Sequence, residues 1–241
     1  MKKFFNIENI RLAIVFAVVL FLYSFTSARN HNRKLIRSEV IFIGENTNFV
    51  TQETVNKLLI DYKTDVKTIA KEKVFLTKVE KAVNNHPMIE KAQVFMSVDG
   101  VLKATVKQRN PIGRIFENEG SSYIDYQGAS MPLSDQETAR VPIITGSVNA
   151  ENYDNLVVVL KQIYNDDFLR KNITGLQIMP DQSVLMTSRM YDFKILFGKL
   201  INSAAKFKNY KAFFQKAEEG HLLTKYKNIN LIYNHQVVGI K

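Results

Sequence analysis

The hydrophobic pattern begins with one uncharged apolar run near the start of the chain. Leu12–Phe25 holds fourteen residues without a charge, and continuing through Ala28 gives seventeen. A helix of that length rises about 26 Å, slightly less than the roughly 30 Å hydrocarbon core of a bilayer. The run therefore predicts either one short membrane-spanning helix at residues 12–28, after a stub of residues 1–11, or a cleaved signal peptide.

The flanks of this run bear on whether it is retained as an anchor. Its length already fills the range of roughly 7–15 apolar residues that signal peptides use. Tyr23 suits a membrane interface, and the basic residues that follow can extend to lipid headgroups: Arg29, Arg33, Lys34 and Arg37. These features favour an uncleaved anchor, although Thr26–Ala28 also suits a cleavage site. The two flanks carry similar numbers of basic residues, so the positive-inside rule gives no orientation.

The pattern over residues 38–107 predicts a small α+β module. A β-branched strand is followed by two amphipathic helices, the first with Thr51 as its N-cap and the second ending before Pro87. Asp99-Gly100 joins two further strands and is a strong hairpin signal. The expected strands are Ser38–Ile43, Ala92–Val98 and Val101–Lys107, and the expected helical stripes are Val55, Leu58, Leu59 and Tyr62, then Leu76, Val79 and Val83. This order predicts a three-stranded sheet with two helices on one face.

After Pro111 the pattern changes to short strands with tight turns. Ile112–Phe116 and Ser122–Asp125 predict a hairpin across Asn118–Gly120, and Val141–Thr145, which contains Pro142, predicts an edge or terminal strand. Later strands are expected at Thr174–Met179, Ser183–Thr187, Phe193–Phe197, Asn230–Tyr233 and Gln236–Ile240, with Asn234 in the last bend. The second part of the chain is therefore predicted to be a β-rich domain with a mixed or antiparallel sheet.

Two amphipathic helices interrupt these strands. Val148–Asp167 carries an apolar stripe of Leu156, Val159, Leu160, Ile163 and Tyr164. Leu200–Ala217 is the second helix. Its expected buried side is Ile201, Ala204, Ala205, Phe207 and Phe214, and its expected solvated residues include Lys206, Lys208 and Lys211.

Composition narrows the classes of function. The net charge of +10 comes mostly from residues 1–37, beside the apolar run, where basic side chains can meet anionic lipid. A nucleic-acid-binding domain would show a denser basic stripe with a recognisable motif, so nucleic acid is not an expected partner. The chain has no cysteine, which excludes disulfides, zinc–thiolate sites and thiol nucleophiles.

No residue pattern points to catalysis, a cofactor or a metal. The histidines are scattered and match no metal-binding spacing: His31, His86, His221 and His235. Asp166 and Asp167 are adjacent, so on a helix they point about 100° apart and do not form an acid–base pair. Gly198-Lys199 lacks the other residues of a phosphate-binding loop. We expect neither a catalytic, cofactor-binding or metal-binding residue nor a small-molecule substrate, and we predict that the protein is not an enzyme.

The last strands permit two interpretations from physics alone. A terminal strand is often an edge strand whose free backbone groups can pair with another chain. Val237–Ile240 is apolar and only lightly protected by Lys241. The strand is either paired inside its own sheet or extended by a partner peptide.

Several motifs together resemble the bacterial cell-division family FtsQ/DivIB over nearly the whole chain. The most specific stretch is Phe75–Pro111, with Pro87, Ile89, Ala92, Val94 and Gln108-Arg109-Asn110-Pro111 in the family's places. Tyr123–Gly128 is similar to its apolar-Asp-x-x-Gly hairpin, Val141–Gly146 to its Leu-Pro-x-x-x-Gly and Asn230–Tyr233 to its Asp-Leu-Arg-Tyr. The chain departs from the family at Gln108, Met88, Asn230 and Ile232.

The resemblance implies an architecture and a location. It implies a POTRA domain at residues 37–108 and the family's β domain at residues 112–241, in an α+β chain with a single N-terminal transmembrane helix. The stub of residues 1–11 would be cytoplasmic, the span would lie in the inner membrane and both domains would be periplasmic.

The resemblance also implies a non-enzymatic function. The protein would be a divisome scaffold that recruits and links FtsB- and FtsL-like single-span partners during septum formation. Carried over residue by residue, the partner-binding positions are Tyr233, Val238, Gly239 and Ile240. The alternatives are a POTRA-containing outer-membrane assembly or secretion factor and a membrane-anchored hydrolase.

Overall fold

The chain has an α+β fold with one N-terminal apolar helix and two compact units. The computed structural model describes residues 7–31, 33–45, 48–60, 69–71, 74–117, 120–233 and 236–241. One unit comprises Met1–Asn46 and Val50–Gln108, and the other comprises Thr47–Phe49 and Arg109–Lys241.

Helix α1, Ile7–His31, is longer than the apolar run from which it was predicted. Its segment Asn9–Arg29 has a mean hydropathy of 2.0 and none of it is buried. Twenty-one residues rise about 32 Å, enough to cross the hydrocarbon core of a bilayer. Of the helices in the described part of the chain, it alone is long and apolar enough to span a membrane, and it is compatible with a single-pass anchor.

In its described residues after α1, the first unit contains a three-stranded sheet and two α-helices. Their bounds are β1 Arg37–Ile43, α2 Gln52–Leu59, α3 Leu76–Asn84, β2 Ile89–Met96 and β3 Val101–Gln108. The sheet order is β1-β3-β2, with β1 parallel and β2 antiparallel to the central β3. This is the predicted order of elements.

Local signals account for these elements. The Thr51 hydroxyl accepts a hydrogen bond from the Thr54 N–H at 3.1 Å, which caps α2. Gly100 has a φ of +88°, the left-handed conformation that the predicted hairpin turn requires. Val55, Leu59 and Val83 are buried as predicted, whereas Tyr62 lies outside the described residues.

The second unit contains a nine-stranded mixed sheet. Its order is β12-β11-β10-β9-β8-β7-β4-β5-β6, and the parallel pairs are β4–β7, β7–β8 and β10–β11. The strands are β4 Pro111–Glu117, β5 Gly120–Asp125, β6 Ser130–Met131, β7 Ile143–Gly146, β8 Ile173–Ile178, β9 Val184–Ser188, β10 Lys194–Gly198, β11 Asn228–Asn230 and β12 Val238–Ile240. The predicted pairing of β4 with β5 is confirmed, while residues 118 and 119 of its turn lie outside the described residues.

The described part of this second unit has three α-helices, α4 Ala150–Asn165, α5 Asp167–Asn172 and α6 Ser203–Glu219, and a short 3-10 helix at Leu223–Lys225. The α4 stripe of Leu156, Val159, Leu160 and Ile163 is buried as predicted, and Tyr164 is partly buried. The single predicted helix Val148–Asp167 is wrong at its end. Asp166 has an extended backbone there, and its carboxylate accepts the Leu169 N–H, so a separate helix begins.

The prediction of Val141–Thr145 as an edge or terminal strand is wrong. β7 lies inside the sheet, parallel to β4 on one side and to β8 on the other. Pro142 precedes the strand, so its missing N–H falls outside the β7 ladder. Its carbonyl accepts the Arg114 N–H at 2.9 Å.

The predicted buried side of the last helix is also wrong in part. Ile201 lies before α6 and is 55% exposed, and Ala204 and Ala205 are exposed. The buried side comprises Ser203, Lys206, Phe207, Tyr210, Phe214 and Ala217. Lys206 was predicted to be solvated, yet only 4% of it is exposed. Its ammonium donates hydrogen bonds to the carbonyls of Phe197 and Lys199, both at 2.8 Å. These carbonyls take the place of the water molecules that would solvate the charge of an exposed lysine.

Candidate interaction surface

Strand β12 forms one end of the nine-stranded sheet. It pairs antiparallel with β11, with Asn228 opposite Ile240, Ile229 opposite Gly239 and Asn230 opposite Val238. No other strand in the described part of the chain pairs with its outer side. The strands are shorter than predicted, because Leu231–Tyr233 leaves the ladder and β12 begins only at Val238. Asn234 lies outside the described residues.

The two faces of this end of the sheet differ. Ile195, Ile229 and Gly239 stand in register, and both isoleucines are fully buried, so this row faces the core. The neighbouring residues of β12 point to the opposite face. Val238 is 37% exposed and Ile240 is 40% exposed, so an apolar pair stands on the outward face of the edge strand.

Gly239 has a structural role at this edge. A Cβ added at Gly239 would lie 2.4 Å from a ring carbon of Tyr226, far inside van der Waals contact. Tyr226 in turn packs on Phe213 of α6, with ring centroids 5.5 Å apart. The missing side chain of Gly239 therefore lets β12 lie against a partly buried aromatic ring that packs on the core.

Backbone bonds hold the segments around the edge. The Lys227 N–H donates to the Ile240 carbonyl at 2.7 Å, and the Leu231 N–H donates to the Leu196 carbonyl at 2.9 Å. Leu231 is buried, and Ile232 and Tyr233 then emerge on the surface. Tyr233 is 53% exposed, so about half of the residue is available for contact with another molecule.

The structure brings three of the four predicted residues together. Val238, Gly239 and Ile240 form β12, whereas Tyr233 lies on the segment that leaves β11. Val238, Ile240 and Tyr233 are exposed, and Gly239 faces inward. Sequence reasoning missed Tyr226, because its contact with Gly239 joins positions that no helical or strand period relates.

The adjacent acids seen in the sequence have structural partners. Asp166 caps α5 and pairs with Lys211 of α6, while Asp167 pairs with Arg170. Burial acts to raise the pKa of Asp166, but hydrogen bonds from Lys211 and the Leu169 N–H outweigh it, so the pKa lies below its ordinary value. The two carboxylates therefore serve separate ion pairs.

The described histidines give no sign of a metal site. Burial lowers the pKa of His86, whose Nδ1 accepts the Met88 N–H. The His31 side chain and His235 lie outside what the structure describes. Among the described residues, no three His, Cys, Asp or Glu side chains come together as metal ligands would.

The predicted apolar-Asp-x-x-Gly motif has a clear physical basis. The Asp125 carboxylate is buried and accepts the N–H groups of Gln127 and Ala129, at 2.9 and 2.7 Å. It also pairs with Arg109. Gly128 has a φ of +90°, as the turn requires. The motif therefore closes the turn between β5 and β6.

Comparison with known families gives one finding. The family model described as FtsQ/DivIB, C-terminal related, matches residues 110–240, which is more than half of the chain. The match covers the nine-stranded sheet and its helices. Among curated proteins, none matches the chain.

Proposed function

Since the chain belongs to the FtsQ/DivIB family of non-enzymatic cell-division proteins, we propose that it is a divisome scaffold. The scaffold recruits and links FtsB- and FtsL-like single-span proteins during septum formation. It acts through protein–protein contacts, and it requires no cofactor, nucleic acid or small-molecule substrate.

The edge strand β12 is the observation that carries this proposal. A partner segment in extended conformation adds as a further strand beside β12 and bonds to its outer backbone groups. Val238, Ile240 and Tyr233 bury apolar surface against the partner, and Gly239 keeps the strand seated on Tyr226. The backbone bonds contribute affinity, and the side chains contribute register and specificity.

The proposal includes the organisation of the chain. Residues 1–11 are a cytoplasmic stub, residues 12–28 span the inner membrane, residues 37–108 form a POTRA domain and residues 112–241 form the β domain. The length and exposure of α1 support the anchor, and the β-α-α-β-β order of the first unit supports the POTRA assignment. Both domains lie in the periplasm.

The two alternative functions find less support. A membrane-spanning barrel needs strands of roughly 9–11 residues, whereas the strands of the nine-stranded sheet are two to seven residues long. For the hydrolase alternative, Asp166 and Asp167 are engaged in separate ion pairs. No observation favours either alternative over the scaffold.

The proposal can be tested by measuring whether the full chain, in detergent, captures FtsB- and FtsL-like proteins. Tyr233→Ala and Ile240→Glu each remove or oppose apolar contact at the edge, and each is expected to weaken capture at least about tenfold, which corresponds to about 1.4 kcal/mol. Deletion of Gln236–Lys241 removes the edge strand and is expected to abolish capture.

Ile41→Glu supplies the matched control. Ile41 is an exposed isoleucine on β1 of the first unit, so the substitution adds the same charge at a position outside β12. Capture should be unchanged in this variant. Full capture by the truncated chain would contradict strand addition at β12, and the absence of any capture by the folded wild-type chain would contradict the scaffold function.

A further inference from the structure

The first unit also has an edge strand, and side chains occupy its outer side. In the order β1-β3-β2, strand β2 pairs with β3, and among the described strands none pairs with its other side. Ala92 and Val94 direct backbone groups away from β3. Helix α3 lies beside them and supplies hydrogen-bonding partners from two of its side chains.

Asn84 binds both backbone groups of Ala92. The Ala92 N–H donates to Asn84 Oδ1 at 2.8 Å, and Asn84 Nδ2 donates to the Ala92 carbonyl at 3.0 Å. This pair of bonds is the pattern that two directly paired residues of an antiparallel sheet exchange. The primary amide of Asn84 therefore takes the place of a peptide group from a neighbouring strand.

Glu80 binds the next outward amide. The Val94 N–H donates to Glu80 Oε2 at 2.8 Å. Glu80 and Asn84 are four residues apart on α3, so they lie on the same face of the helix. Asn84 Nδ2 also donates to the Glu80 carbonyl at 2.9 Å, which holds the amide in position.

An unoccupied edge at this place would favour association between copies. A flat edge strand with exposed apolar side chains is a template for pairing with another chain, and Phe95 of β2 is exposed. Two identical β2 edges are self-complementary about a two-fold axis, because an antiparallel strand can pair with its own copy.

We propose that Glu80 and Asn84 form an edge-blocking pair that prevents β2 from pairing with β2 of a second copy of this chain. The pair fills two backbone donors and one acceptor that such pairing needs. This inference is independent of the proposed function, because it concerns the first unit and its test involves no partner protein.

The absence of cysteine from the chain allows a direct test. Gln93→Cys places a single thiol on the exposed side of β2. Oxidative crosslinking of the full chain in detergent then reports whether two β2 strands meet. In the Glu80→Ala/Asn84→Ala background, the crosslinked dimer is expected to rise at least about tenfold over the Gln93→Cys chain alone.

Two control backgrounds separate the edge bonds from general destabilisation. Asn85→Ala changes the adjacent exposed asparagine, whose side chain takes no part in the three bonds, and should give no dimer. Glu80→Gln/Asn84→Asp keeps an acceptor for each N–H and should give much less dimer than the double alanine variant. Amide hydrogen exchange at Ala92 and Val94 shows whether the edge has been opened.

Each result has a defined meaning. The proposal is supported if the double alanine variant forms the crosslinked dimer and its Ala92 and Val94 amides exchange faster. The Asn85→Ala variant should show neither the dimer nor the faster exchange. The proposal fails if both amides exchange rapidly and no dimer forms, or if the Gln93→Cys chain dimerises equally without the alanine substitutions. It also fails if both amides stay protected in the double variant, since other groups would then occupy the edge.

Discussion

Lys206 is a buried lysine whose charge is held by backbone carbonyls. Its ammonium bonds to the carbonyls of Phe197 and Lys199 and lies 4.7 Å from the centroid of the Phe197 ring. Burial lowers the pKa of Lys206 from its ordinary value of 10.5. The residue therefore joins α6 to the end of β10. Burying its charge has a free-energy cost, and the effect of that cost on stability depends on pH.

The dependence of stability on pH follows from this lowered pKa. At pH values below this lowered pKa, Lys206 is protonated in both the folded and the unfolded chain, so its contribution to the free energy of unfolding does not change with pH. Between it and 10.5, the unfolded chain binds more protons, so the Lys206 contribution to the free energy of unfolding rises with pH. We expect wild type to gain stability relative to Lys206→Met as the pH rises towards 10.5.

Thermal unfolding in detergent at several pH values checks this expectation. At neutral pH, Lys206→Met should lose about 1–3 kcal/mol, because two buried carbonyls lose their donor. Lys208→Met changes an exposed lysine of the same helix and should show neither effect. A difference between wild type and Lys206→Met that is constant across the pH range would contradict the assignment.

Asp125 offers a second prediction at the scale of one residue. Asp125→Asn keeps an acceptor for the turn but places an amide against Arg109, leaving a partly buried cation without its counter-charge. We expect a loss of about 3 kcal/mol, seen as a fall of about 2–4 °C in Tm per kcal/mol. Asp167→Asn breaks the exposed pair with Arg170 and should change stability by less than about 0.5 kcal/mol. Equal effects of the two substitutions would refute this reading.

The contact between Gly239 and Tyr226 determines how one element, β12, sits on the sheet. Gly239→Ala places a methyl group within the Tyr226 ring, so the ring or the strand must move. We expect weaker partner capture and faster amide exchange at Lys227, whose N–H bonds to Ile240. Both measurements are made on the full chain.

A second substitution distinguishes this steric cause from others. Gly239→Ala combined with Tyr226→Ala removes the ring that the methyl group meets, and the pairing of β12 should be restored relative to Gly239→Ala alone. The two effects are then non-additive, as expected for residues in contact. Simple addition of the two losses would show that Gly239 acts through something other than Tyr226.

Elements with a local cause were predictable from the sequence. The apolar run indicated α1, Asp99-Gly100 indicated the β2–β3 hairpin, and the stripe from Leu156 to Ile163 indicated the buried face of α4. Each of these signals lies within one segment of chain, where the period of side chains follows the backbone geometry.

Elements that depend on distant partners were predicted less well. β7 is interior because β4 and β8 flank it, which the proline beside it does not reveal. Lys206 can be buried because its ammonium donates hydrogen bonds to two carbonyls near the end of β10. The apolar periodicity of α6 does not carry that information. The sequence left open whether the last strand is paired inside its own sheet or extended by a partner. The structure pairs β12 with β11 at the end of the sheet, and the orientation of Gly239 towards Tyr226 also required the structure.

At the scale of the whole molecule, the proposed orientation can be measured with single cysteines. We expect Glu219→Cys, in the β domain, to react with a membrane-impermeant maleimide added to spheroplasts, and Lys3→Cys, in the stub, to react only after the membrane is permeabilised. The native chain has no cysteine and is its own background control. Labelling of Lys3→Cys alone in intact spheroplasts would reverse the orientation.

The parallel pairing of β1 with β3 has a consequence for the order of folding. β2 and β3 are joined by a tight turn, and hairpins of this kind form within about 1–10 μs. β1 must instead close a long loop, since Arg37 pairs with Val101, and such contacts form later because the loop entropy opposes them. During that interval the edge of β3 that later receives β1 is open. We therefore expect the β2–β3 hairpin without β1 to be the species most exposed to misassembly, and we expect pairing with β1 to end that exposure.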